Sequence, residues 1–183
     1  MKRTAFVFAG LLSALTSLTT VAQTTPTSPL VGPMQQTAAK LKALQPTGDP
    51  DFDYVFRMRL LGQGAVDMAK LAAAQGSDAI KQKAQAFVDS KQKELAEMEA
   101  LQRQLRPSRP NGAYSQQQSQ QMQAIVLKMQ PDGTPAKMTG KIDDDYTALM
   151  TEYTRDASDL SKMYLNYGNN ATLKTMAQKL VVQ

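Results

Sequence analysis

The chain has no cysteine, no histidine and no tryptophan. Without cysteine it can form no disulfide, no thiolate metal site and no thiol nucleophile. Without histidine it lacks an imidazole base, ligand or physiological pH switch. A Ser-His-Asp triad, a zincin helix, histidine-ligated haem and the Glu-x-x-His iron site of carboxylate bundles are therefore excluded. Long apolar runs are also scarce, and beyond the N-terminus no segment approaches the roughly 20 apolar residues of a membrane helix. What is present is 183 residues, 42% hydrophobic and 20% charged, with 11 methionines.

The N-terminus reads as an export signal. Lys2 and Arg3 are followed by a mostly apolar run from Ala5 to Leu18, and Thr20-Val21-Ala22 supplies small side chains at a cleavage site. Cleavage after Ala22 leaves a periplasmic or secreted protein with no membrane span; an uncleaved anchor helix is the competing expectation. Losing Lys2 and Arg3 takes the net charge from +5 to +3. The remaining cations are scattered among acids and are not interleaved with aromatics, so nucleic acid is not an expected partner.

Gln23 to Gly32 is rich in Thr, Pro and Ser and has no period, which predicts a disordered spacer. Residues 23–50 as a whole read as a linker carrying one short helix, Met34 to Gln45. Pro46-Thr47-Gly48-Asp49-Pro50 is a helix breaker, with Asp49 or Asp51 available to cap the next helix. From there Met58, Leu61, Ala65, Met68 and Ala72 recur at helical spacing as a buried seam. After the turn Gly76-Ser77-Asp78, a second helix carries Ile80, Ala84, Phe87, Val88, Leu95, Met98, Leu101 and Leu105 on its apolar side. So short a connection predicts an antiparallel pair. A Gln-rich segment over 114–130 places Met122, Ile125, Val126 and Met129 on one face and predicts an amphipathic connecting helix rather than a prion-like tract.

The C-terminal part repeats the first hairpin. Asp145, Met150, Ala157, Asp159 and Lys162 follow Asp53, Met58, Ala65, Asp67 and Lys70 by 92 residues, and Gly168 follows Gly76 by the same offset. One residue further out of step, Ala177, Leu180 and Val181 match Ala84, Phe87 and Val88. The seam returns as Tyr146, Met150, Tyr153, Ala157, Leu160, Tyr164 and Tyr167. The expected fold is all-α: a four-helix bundle over 51–183 built from two repeated hairpins, 51–105 and 143–183, with the extra helix between them.

At these residues the sequence resembles the domain-of-unknown-function 305 family, an often exported, ferritin-like helical domain. The resemblance lies in Phe56 through Ala69, in Glu94-Leu95-Ala96-Glu97-Met98, and in Met150 through Ala157. It implies paired histidines three and four residues after Met58 and Met150, and with them a transition-metal role; some members look like periplasmic copper binders. Here those positions hold Leu61-Gly62 and Tyr153-Thr154. Leucine and glycine offer no side-chain ligand, and Leu61 and Tyr153 fall on the seams, so the chain reads as a degenerate member whose metal site has eroded.

Methionine is the one soft ligand left. Thioethers prefer Cu(I), and Met58, Met68, Met98 and Met150 lie on seams or at family-matched positions. Methionine at helical spacing is more commonly core filler. Asp143-Asp144-Asp145 reads as a helix cap and first turn rather than a calcium loop, lacking the spaced oxygens and central glycine. Glu94, Glu97 and Glu99 lack loops that would form a cleft around them. Gly62-Gln63-Gly64 inside a helix reads as close packing or drift in preference to a hinge. These observations point to a non-enzymatic binding or interaction protein without a cofactor; the alternative is a copper-handling protein holding Cu(I) through thioethers. A protein partner, a metal ion or a second copy of the chain are all compatible with the residues.

Overall fold

The computed structural model describes residues 27–182, so the signal, its cleavage site and residues 23–26 of the expected spacer lie outside the described residues. Six helices follow in order: α1 (Val31–Ala43), α2 (Pro50–Gln75), α3 (Asp78–Gln104), α4 (Gly112–Lys128), α5 (Ile142–Tyr167) and α6 (Ala171–Val181), with one 3₁₀ turn at Pro135–Lys137. There is no strand among the described residues. The expected all-α bundle is what the chain forms.

Local chemistry sets the helix ends. Asp49 caps α2, accepting hydrogen bonds from the Asp51 and Phe52 amides, and Pro50 takes the first helical position, where no amide is needed. Asn111 caps α4 through the Tyr114 amide, starting that helix two residues earlier than its apolar pattern suggests. Asn170 caps α6 through the Leu173 amide.

α2 and α5 pack at the centre. α3 folds back along α2, and α6 along α5, so the two hairpins meet through their first helices. The seam residues Met58, Leu61, Ala65, Met68 and Ala72 are all buried, as are Tyr146, Tyr153, Ala157, Leu160 and Tyr164 facing them. Tyr54 and Tyr164 stack with ring centroids 4.1 Å apart, and the Tyr54 hydroxyl lies 2.8 Å from that of Ser161, tying the start of α2 to the end of α5.

The linker expectation for residues 23–50 needs correction where the structure describes it. α1 is packed on α2 and α4, with Leu30, Met34, Ala38 and Leu41 buried in the common core. The contact is close: a Cβ built on Gly64 would lie 2.0 Å from Thr37 Oγ1 of α1. On another side of α2, a Cβ on Gly62 would meet the Leu95 side chain of α3 at 2.9 Å. Both glycines thus let neighbouring helices approach α2, which is why they tolerate their cost of about 1 kcal/mol each in a helix.

The acidic run in the first turn of α5 also does more than a simple cap. The N-cap position is Lys141, with no side-chain cap bond. Asp143 reaches across to the other hairpin and accepts from the Ser77 amide at 3.0 Å. Its repeat counterpart Asp51 does the same in reverse, accepting from the Asn169 amide at 2.9 Å and the Tyr164 hydroxyl at 2.6 Å. Each helix start therefore closes the turn of the opposite hairpin.

Candidate functional site

The two seams bring Leu61 of α2 and Tyr153 of α5 to the wall of one closed cavity of about 30 Å³. Both side chains are buried. α1 and α4 complete the enclosure, contributing Met34 and Met129, and Met68 adds a third thioether from α2, two turns beyond Leu61. Three thioethers therefore surround the space that the two family positions share. The polar part of the wall is Thr37, Lys128, Glu152 and Asp156.

Each of these polar groups has a partner. Lys128 of α4 pairs with the Asp156 carboxylate. The Thr134 hydroxyl donates to Glu152 at 2.6 Å, and the Thr37 hydroxyl donates to the Pro33 carbonyl at 2.9 Å. Burial pushes the Asp156 carboxyl above the usual carboxylate range, with the Lys128 ammonium opposing it. The Tyr153 phenol is likewise pushed up by burial and partly drawn back by the neighbouring Lys91 ammonium, so it stays protonated at neutral pH.

The other two family positions do not share the cavity. Gly62 faces Leu95 of α3. Thr154 is exposed, its hydroxyl turned back to the Met150 carbonyl. Of the four methionines singled out in the sequence, Met68 lines the closed cavity. Met58 and Met98 are buried in the core and do not line it, and Met150 is half-buried on an open groove at the opposite side of Tyr153. The set that the fold gathers is Met34, Met68 and Met129. Met34 and Met129 lie outside the repeats, on or beside helices whose packing partner the periodicity could not name.

The donor set does not fit the metal that the family resemblance implies. Leu61 and Gly62 have no donor atom, and Thr154 points away. Among the described residues no three His, Cys, Asp or Glu side chains converge as a ligand group. The Glu94, Glu97 and Glu99 trio is dispersed as well. Glu94 binds Lys91 at 2.6 Å, Glu99 binds Arg103 and Arg59, and Glu97 is exposed.

No described helix is long and apolar enough to cross a membrane. No curated protein matches the chain, and no solved structure matches it. The family model described as "Domain of unknown function (DUF305)" matches residues 51–183, the span from the second residue of α2 to the C-terminus, leaving α1 as an addition packed against the matched domain. The chain belongs to the DUF305 family.

Proposed function

We propose that this chain is an exported, non-enzymatic helical-bundle protein that works by binding, and that the metal position of its family has been converted into core. The observation that supports this most is the pairing of Leu61 and Tyr153 across one closed cavity, a hydrocarbon and a phenol where ligands are implied. Export rests on Lys2-Arg3, the apolar run to Leu18 and the small residues before Gln23. The dispersal of Glu94, Glu97 and Glu99 among ion pairs and solvent favours binding over turnover.

The double variant Leu61→His/Tyr153→His tests the converted position. Two imidazoles on one cavity wall beside Asp156 make a site for Zn(II) or Cu(II). The double variant should bind either ion with at least a tenfold gain over both single variants. A folded double variant with no gain over wild type would overturn the reading. Periplasmic fractionation and the intact mass of the exported chain test the first part, a chain beginning at Gln23 being the expected result.

A second reading is favoured by Met34, Met68 and Met129 around the same cavity. Three thioethers suffice for Cu(I) and exclude harder ions. Anaerobic Cu(I) titration against a chromophoric chelator tests it. Binding lost in Met68→Leu/Met129→Leu and kept in Met58→Leu/Met150→Leu would favour copper handling; no competition in the wild type would end it.

A further inference from the structure

The outer side of Tyr153 borders a second space with a different character. α3, α5 and α6 enclose an open groove of about 710 Å³, within the range of small-molecule sites. It exists because α3 and α6 each pack along their own hairpin partner, so α3 meets α5 here through long side chains, as in the edge-to-face contact of Phe87 with Tyr153 at 5.8 Å. The floor is apolar: Ile80, Phe87, Tyr146, Met150 and Leu180.

The charged groups on the walls carry one sign. Lys83 of α3 and Arg155 of α5 both line the groove, both are exposed, and neither has an ion-pair partner among the described residues. Lys91 is also at the groove, but Glu94 neutralises it. No Asp or Glu side chain lines the space. The Tyr153 hydroxyl is buried beside the Lys91 ammonium, which draws its pKa down against the effect of burial.

We propose that this groove binds a free single-chain fatty acid, the hydrocarbon lying on the Phe87–Met150–Leu180 floor and the carboxylate meeting Lys83 and Arg155. The two oxygens of a carboxylate can accept from both free cations, whereas a polyphosphate needs more donors and has no use for the apolar floor. A bilayer fits poorly, because the apolar surface is recessed and the two large exposed hydrophobics, Leu127 and Val182, lie elsewhere. A two-fold contact between copies on this face would bring the same cations towards one another. The inference rests on the binding role proposed above by naming its ligand, but it uses none of the cavity residues except Tyr153.

Calorimetric titration with decanoate below its micelle concentration tests the groove on the exported chain. The expected result is saturable one-to-one binding, weakened at least tenfold in Lys83→Glu/Arg155→Glu and at high salt, and at least tenfold weaker for decyl maltoside. Thr151→Trp, an exposed position on the groove wall, should block binding by filling the space without entering the core. No decanoate binding by a folded chain would overturn the proposal. So would equal binding by the charge-reversed variant, or equal binding of decyl maltoside. Adsorption to phosphatidylglycerol vesicles without decanoate binding, or a dimer abolished by the charge reversal without decanoate binding, would likewise replace it. Failure here leaves the histidine-restoration result untouched, so the two readings fall separately.

Discussion

Asp53 and Asp145 hold the same hydrogen bonds 92 residues apart. Asp53 Oδ1 accepts from the Thr47 amide and hydroxyl, both at 2.9 Å, and Oδ2 from the Gly48 amide at 3.1 Å. Asp145 Oδ1 accepts from the Thr139 amide at 2.7 Å and hydroxyl at 3.0 Å, and Oδ2 from the Gly140 amide at 3.0 Å. Gly48 and Gly140 share a φ of +79°, a conformation that favours glycine. The repeat thus extends into the loop before each hairpin. Removing either carboxylate orphans three donors. Asp145→Ala should cost about 2–3 kcal/mol in urea unfolding. Asp53→Ala should cost more, about 3–5 kcal/mol, because it also strands the buried Arg57 guanidinium 3.3 Å away.

Acid should weaken the fold through the same loop. Burial raises the Asp145 carboxyl, but the Thr139, Ser28 and Gly140 donors outweigh it and hold it below the usual range. Hydrogen bonding from Ser77 lowers Asp143. A carboxyl depressed in the folded state contributes stability above its unfolded pKa of about 3.9 and loses it as pH falls through the folded value. Thermal unfolding should be little affected by these two groups from neutral pH to about pH 5 and fall below about pH 4. Asp145→Asn should show a shallower fall.

The opposite sign is expected at Asp156. Its carboxyl is raised by burial and drawn down by Lys128. Lys128→Met removes the opposing charge, raising the folded pKa further, so the variant should lose stability as pH rises through that value. Stability measured at pH 7 should drop by about 1–2 kcal/mol against wild type, the lysine being partly exposed, with a smaller gap at pH 5.

Gly64→Ala should destabilise by about 1–3 kcal/mol, since the new methyl collides with Thr37 of α1. Gly112→Ala, in the first turn of α4 with nothing within 4 Å, should be neutral or stabilising by up to about 1 kcal/mol. Denaturant midpoints of the two variants separate close helix approach from general glycine entropy. Met34→Ala should cost about 2–4 kcal/mol if α1 is core, a cost no tethered linker helix would show.

The seams were legible because a helix buried on one side must repeat its apolar residues near every 3.6 positions, and Met58 to Ala72 do so without interruption. The helix of α1 was legible but its docking was not, because 13 residues with Thr37 among the buried positions give too little pattern to separate a core helix from one in a linker. Asp143 looked like a local cap since sequence proximity favours its own helix, whereas its partner Ser77 is 66 residues away. The closed cavity shows the same limit. Leu61 and Tyr153 were assignable from the repeat, but Met34 and Met129 join them only through the packing of α1 and α4. For the groove, Lys83 and Arg155 read as ordinary surface charges until α3 and α5 are placed side by side.

The crossed bonds of Asp51 and Asp143 carry a consequence for assembly. Each half supplies the latch for its twin, so a lone hairpin bearing both parts would find its complement on a second molecule. Joining the copies through residues 105–141, α4 included, turns that bimolecular encounter into an intramolecular one, with an effective concentration of order millimolar or higher. A chain severed in that stretch should therefore reassemble from its fragments, each latch guiding the register of the other.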